Sequence, residues 1–128
     1  SPAMNLMSGE IVETGDVTKV RVAAGKGVIT ANIPTQTSDQ GRTVNVGIRP
    51  EDMIPTEEEN YAFAGRVEIV EALGEVTQLY FEKPSQGSQA VNGKLQGIHA
   101  DAKGAVMQIT ADPAKIHLFA EGQSLLYR

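Results

Sequence analysis

The strongest constraint in this sequence is an alternation of apolar and polar residues, with a period of two, that recurs along the chain and is cut at short intervals by turn-forming residues. In Thr43-Val44-Asn45-Val46-Gly47-Ile48-Arg49, the side chains of Val44, Val46 and Ile48 share one face. Thr18 to Ala24 aligns Val20 with Val22, and Gly27 to Ile33 aligns Ile29, Ala31 and Ile33. Successive side chains of a strand point to opposite faces of a sheet, so each run reads as a half-buried strand. Gly65 to Glu71 and Val76 to Glu82 flank the short connection Ala72-Leu73-Gly74-Glu75. A glycine there supplies the backbone freedom of a hairpin turn. Ala105 to Thr110 and Lys115 to Ala120 are weaker strands of the same kind.

The breakers are Gly25-Lys26-Gly27, Pro34 to Gly41, Pro55 to Asn60, Lys83 to Ser88 and Asp101 to Gly104. Many short strands spaced in this way predict an all-β barrel or sandwich, not a βαβ fold. The length of 128 residues suits one domain with a real core. Arg49-Pro50-Glu51-Asp52 and Ala111-Asp112-Pro113-Ala114 each follow a strand. Proline fits the first turn of a helix and Asp112 suits an N-cap, so both predict single helical turns closing a barrel corner.

Charge and composition exclude several functions. The net charge is -5 and no Lys/Arg cluster stands out, while three Tyr and three Phe are scattered. Nucleic-acid binding needs a basic surface or a stacking platform, and neither is present. With no Cys there is no disulfide framework, thiolate zinc site or cysteine nucleophile. That usage fits a reducing compartment. No apolar stretch reaches the length of a membrane-spanning helix. The opening Ser1-Pro2-Ala3-Met4-Asn5 lacks the basic and apolar regions of a signal peptide. Starting without an initiator Met, the chain reads as a piece of a longer protein.

Catalytic motifs fail one by one. Gly25-Lys26-Gly27 lacks the upstream Gly and the following hydroxyl of a phosphate-cradling loop, and Thr30 stands where a dinucleotide fingerprint needs its third Gly. Leu6-Met7-Ser8-Gly9-Glu10 lacks the second Gly of an ABC signature loop. His99 and His117 are 18 residues apart with no third ligand at metal spacing. His99 reads as a surface residue, and His117, between Ile116 and Leu118, as a structural one. Glu68, Glu71, Glu75 and Glu82 read as solvent-facing positions of the hairpin, and Glu57-Glu58-Glu59 as a solvated loop tip. No catalytic, cofactor-binding or metal-binding residue is expected.

Four segments in order resemble the C-terminal regulatory (TOBE, OB-like) domain of maltose-type ABC importer ATP-binding subunits. Ser1-Pro2-Ala3-Met4-Asn5 is similar to the S-P-x-M-N junction that follows the nucleotide-binding domain in that family. Val46-Gly47-Ile48-Arg49-Pro50-Glu51-Asp52 resembles its G-I-R-P-E element. Gly65 to Thr77 resembles its G-x-V-x-x-V-E-x-L-G-x-x-T hairpin, and Asp112 to Phe119 its D-P-x-x-x-H-L-F ending. The match loosens over Lys83 to Asp101.

The resemblance implies an OB-like barrel of TOBE type with extra strands and one or two single helical turns, forming one domain over residues 1–128. It also implies that the ATPase domain, with its ATP and Mg, lies outside this chain. The implied role is regulation and dimerisation of the ATP-binding subunit of an importer for sugars or glycerol phosphate. The implied partners are a second copy, the chain's own N-terminal ATPase domain, membrane permease subunits and a cytosolic regulator. The implied location is cytoplasmic, peripheral at the inner face of the membrane. Arg49, Pro50, Glu51, Glu71, Gly74 and Thr77 are the residues expected at partner surfaces. Gly47 and Gly65 read instead as structural, since a glycine in a strand marks a bulge or a close approach.

The alternative is an oxyanion sensor, since related TOBE domains bind molybdate. Thr35, Thr37 and Ser38 would offer hydroxyls there and Arg42 the cation.

Overall fold

The alternating runs become strands wherever the sequence predicts them. The computed structural model describes residues 4–83 and 89–127. Ser1, Pro2 and Ala3 of the junction motif, Pro84 to Ser88 of one predicted breaker, and Arg128 lie outside the described residues. In chain order the strands are β1 (Asn5–Glu13), β2 (Thr18–Val22), β3 (Ile29–Ala31), β4 (Thr43–Ile48), β5 (Ile54–Pro55) and β6 (Phe63–Ala72). They continue with β7 (Val76–Phe81), β8 (Asn92–Gln96), β9 (Val106–Thr110), β10 (His117–Ala120) and β11 (Gln123–Ser124).

Two sheets result, one of six strands in the order β11-β10-β4-β1-β2-β3 and one of five in the order β5-β9-β6-β7-β8. All the strand pairings are antiparallel. Ile11, Val20, Val46 and Ile48 of the first sheet share one hydrophobic core with Phe63, Val67, Leu79 and Ile109 of the second. The architecture is an all-β, OB-like barrel carrying extra strands.

β6 serves two neighbours. Phe63 to Arg66 pair with β9, and Val67 to Ala72 pair with β7. A register shift between Val67 and Ile69 separates the two halves. Such a bulge reverses the alternation beyond it. Val67 therefore enters the core, while Ile69, two residues on, is half exposed. At the first seam between the sheets, Lys26 and Tyr61 exchange backbone hydrogen bonds of 3.0 Å, and Ala64 N–H donates to the Ala24 carbonyl at 3.1 Å.

The two predicted helical turns form as single 3-10 turns, Pro50–Asp52 and Pro113–Lys115, each with proline at its start. Asp112 caps the second, its Oδ1 accepting from the Ala114 N–H at 2.9 Å. Two further 3-10 turns, Thr37–Asp39 and Leu125–Tyr127, exceed the one or two expected. The first lies inside the predicted breaker Pro34 to Gly41, where Gln36 and Asp39 form a reciprocal capping box.

Four strands, β1, β8 and the two-residue β5 and β11, stand where the sequence signals none, and Pro55 of β5 falls in the predicted breaker Pro55 to Asn60. On the core face of β1, Met7 and Ile11 alternate with polar Asn5 and with Gly9, so the apolar signal is diluted. On β8, Gly93 sits between the inward Val91 and Leu95 and does the same.

Candidate interaction surface

Ile48 is fully buried at the end of β4, and the following Arg49 is exposed in an extended conformation that leads into the turn at Pro50. Glu51 faces solvent, whereas the Pro50 ring is buried in the barrel. The β6–β7 hairpin closes with Leu73 N–H bonded to the Val76 carbonyl at 2.9 Å. Gly74 takes φ +89 there, a left-handed conformation that strains any residue with a Cβ. Glu71 is exposed and accepts a 2.6 Å hydrogen bond from the Tyr80 hydroxyl across the strand pair. That bond to the carboxylate pushes the phenol above its ordinary value. Thr77 is buried, with its hydroxyl donating to the Gly97 carbonyl at 2.7 Å.

Of the six residues marked by sequence, Arg49, Glu51, Glu71 and Gly74 are exposed, and Pro50 and Thr77 point their side chains into the protein. They do not form one patch. Asn5 pairs with Ile48 and bonds Asn92, which stands opposite Tyr80, so Arg49 and Glu51 lie toward the Phe81 end of β7. Gly74 closes the opposite end, and Glu71 lies between. Glu68, Glu75 and Glu82 are solvent-facing, as are Glu57 to Glu59. Exposed apolar side chains on the same sheet, Ile54, Ile69, Leu73 and Val106, were not marked by the sequence. For Ile69 the missing information is the bulge.

Gly47 and Gly65 are close approaches. A Cβ at Gly47 would lie 2.8 Å from the Phe119 ring, and one at Gly65 would lie 2.6 Å from the Phe63 ring. His117 pairs with Gly47, half-buried, and its ring stacks on Phe119 at 6.3 Å between centroids. His99 is also partly buried, with Nε2 2.8 Å from the Gln96 carbonyl.

The hydroxyls proposed for an oxyanion are partly used by the fold. Thr35 is buried, with its Oγ1 2.7 Å from the Thr18 hydroxyl. Arg42 pairs with Asp39 at 3.2 Å. Thr37 and Ser38 remain exposed on their turn. Among the described residues no group of three or more His, Cys, Asp or Glu is placed to hold a metal ion.

Burial holds the His117 imidazole below its ordinary value, Arg49 adds to the effect, and Asp52 opposes it. The unfolded chain therefore takes up this proton first as pH falls through about 6.5. The stability involved is fully present above that pH and is lost as pH falls through the lower folded value. The urea midpoint is expected to decline from about pH 7.5 to about pH 5.5, and more gently in His117→Gln. Equal declines in the two proteins would remove His117 as the cause.

Residues 46–119 match the family model of the TOBE domain, and residues 1–53 match that of the MalK OB fold domain. The alpha-glucoside transport ATP-binding protein AglK of Rhizobium meliloti (strain 1021) is 46% identical over 125 residues, covering 97% of this chain and 34% of AglK. The maltose/maltodextrin import ATP-binding protein MalK of Salmonella typhi is 28% identical over 129 residues, 100% of this chain and 34% of that protein. The chain thus spans about a third of the length of the curated relatives it matches. Among solved structures, the cytoplasmic molybdate-binding protein ModG, with molybdate bound, has a TM-score of 0.66 at 12% identity. The match covers 94% of this chain and 98% of that one, and it shows a shared fold.

Proposed function

Because this chain belongs to the TOBE domain family, we propose that it is the non-catalytic regulatory and dimerisation domain of the ATP-binding subunit of an ABC importer for sugars or glycerol phosphate. The likeness to AglK over nearly the whole chain carries this reading. In it, ATP and Mg belong to the ATPase domain of the same subunit. The partners are a second copy of the subunit, its ATPase domain, the permease subunits and a cytosolic regulator. The site of action is the cytoplasmic face of the membrane. The exposed candidates, though spread along the hairpin, favour contact over bond chemistry, because Arg49, Glu51 and Glu71 are charges without a nucleophile or metal cluster among them.

The oxyanion-sensor reading is the weaker one, since Thr35 and Arg42 already have partners within the fold.

The test is charge reversal in the full-length subunit, with Glu71→Lys and Arg49→Glu made separately. Both positions are exposed, so folding is expected to survive. Loss of self-association or of regulated transport, with ATPase activity retained, is the expected outcome. Two variants indistinguishable from wild type in all of these would remove this surface from the reading. The chain alone is expected to give no saturable heat on titration with Mg-ATP. Micromolar binding there would overturn the non-catalytic assignment.

A further inference from the structure

The second seam of the barrel is closed by a side chain. β8 is the last strand of its sheet, and its partner β7 lies on one side only. Phe81 N–H donates to the Val91 carbonyl and Gly97 N–H to the Glu75 carbonyl, at 3.1 and 2.7 Å. In an antiparallel pair the bonded positions alternate. Gly93 and Leu95 therefore exchange bonds with Leu79 and Thr77, while the backbone groups of Asn92, Lys94 and Gln96 turn away from β7.

At Asn92 those outward groups meet Asn5, the first residue of β1. Asn5 Nδ2 donates to the Asn92 carbonyl at 2.8 Å, and the Asn92 N–H donates to Asn5 Oδ1 at 2.9 Å. One carboxamide takes the place of a neighbouring peptide group. Asn5 is only 3% exposed, so the two bonds lie in a sheltered position where water replaces them poorly. It is also the final residue of the junction motif, to which the reading of partner surfaces gives no task.

Beyond its backbone bonds to β7 and the Thr77 hydroxyl on the Gly97 carbonyl, β8 has few apolar anchors of its own. It is five residues long, its middle inward position is a glycine, and it is flanked by the exposed Gln89-Ala90 and Gly97-Ile98. Val91 and Leu95 are its main anchors in the core, with Met53 packing over Gly93. Segments with few apolar anchors and exposed flanks open before the rest of a domain.

We propose that Asn5 is a releasable latch, and that its two bonds to Asn92 set how readily β8 detaches from the barrel as a unit. Release bares the outer edge of β7 at Thr77, Leu79 and Phe81, while the six-stranded sheet stays intact. The device is independent of any particular transported substrate.

Native-state hydrogen exchange on the 128-residue chain tests it. In the unaltered protein the amides of Asn92, Gly93 and Leu95 are expected to exchange with a shallower dependence on low urea than those of Ile11 and Ala62, which are bonded elsewhere in the core. Asn5→Ala is expected to speed the three β8 amides by about tenfold or more, leaving Ile11 and Ala62 within about twofold. Uniform acceleration, or no change at Asn92, overturns the latch. If the variant does not fold, the unaltered protein still decides. A urea dependence at Gly93 and Leu95 equal to that at Ile11 also overturns it.

Discussion

Truncating Phe63 to alanine is expected to cost about 3–5 kcal/mol of unfolding free energy. The residue is 2% exposed, and its ring meets Phe81 edge-on at 5.1 Å between centroids. It stands at the first position of β6, paired with Ile109, with Gly65 leaving the space its ring occupies. Removal deletes buried apolar surface, the edge-to-face contact and the filling of that space together. Backbone bonding on both sides of β6 restrains the collapse that would soften the loss. Domains of this kind hold about 5–15 kcal/mol in total, so the variant is expected near the limit of folding at 37 °C. Urea unfolding followed by circular dichroism measures it. A loss below about 1 kcal/mol would mean that the ring is not a keystone of the core.

Gly25→Ala is the second large effect, by a different physical route. A Cβ at this position would overlap the Tyr61 carbonyl oxygen and lie 2.7 Å from that of Ala62. Both are backbone atoms and cannot rotate away. Relief requires the Gly25–Gly27 turn to move off residues 61 and 62, which strains or breaks the Lys26–Tyr61 pair and the neighbouring Ala64–Ala24 bond. Overpacking and lost hydrogen bonds together are expected to remove about 3 kcal/mol. Gly93→Ala is the control. Its added Cβ would meet Phe81 and Met53 at 3.7 and 3.8 Å, ordinary contact distances. Its melting temperature is expected to stay close to that of the parent. Equal losses in the two variants would refute the close-approach argument.

Legibility in the sequence followed how plainly each strand's buried face is apolar. β2 and β4 place Val20, Val22, Val44, Val46 and Ile48 in phase, and both form where the alternation lies. β1 is the inner strand between β4 and β2, yet its core face holds a polar Asn5 and a bare Gly9, and alternation alone misses it. The reason for Asn5 is a tertiary one, its bonds to Asn92 across the barrel. At the candidate surface, the exposure of Arg49, Glu51 and Glu71 followed from their charge. Thr77 carried its own signal: it alternates in phase with Leu79 and Phe81, so period two alone assigns it to the core face. Ile69 had no such signal, because a bulge is a property of the paired strands and not of one run of residues.

The pairing of β4 with β10 has a consequence in time. His117 pairs with Gly47, seventy positions earlier. A chain emerging from the ribosome completes β1, β2 and β4, and then the whole five-stranded sheet, before the strand that covers β4 exists. During that interval β4 carries an open edge, with the inward Val46 and Ile48 lacking Leu118 beside them. The β6–β7 hairpin, closed by two residues, forms quickly by comparison, whereas the β4–β10 contact must close a long loop. The vulnerable interval in this domain's synthesis thus lasts until His117 to Phe119 are free to pair with β4. A product ending before residue 117 leaves the ribosome with a sticky strand, β4, unpaired on one edge, and association with other chains is its expected fate.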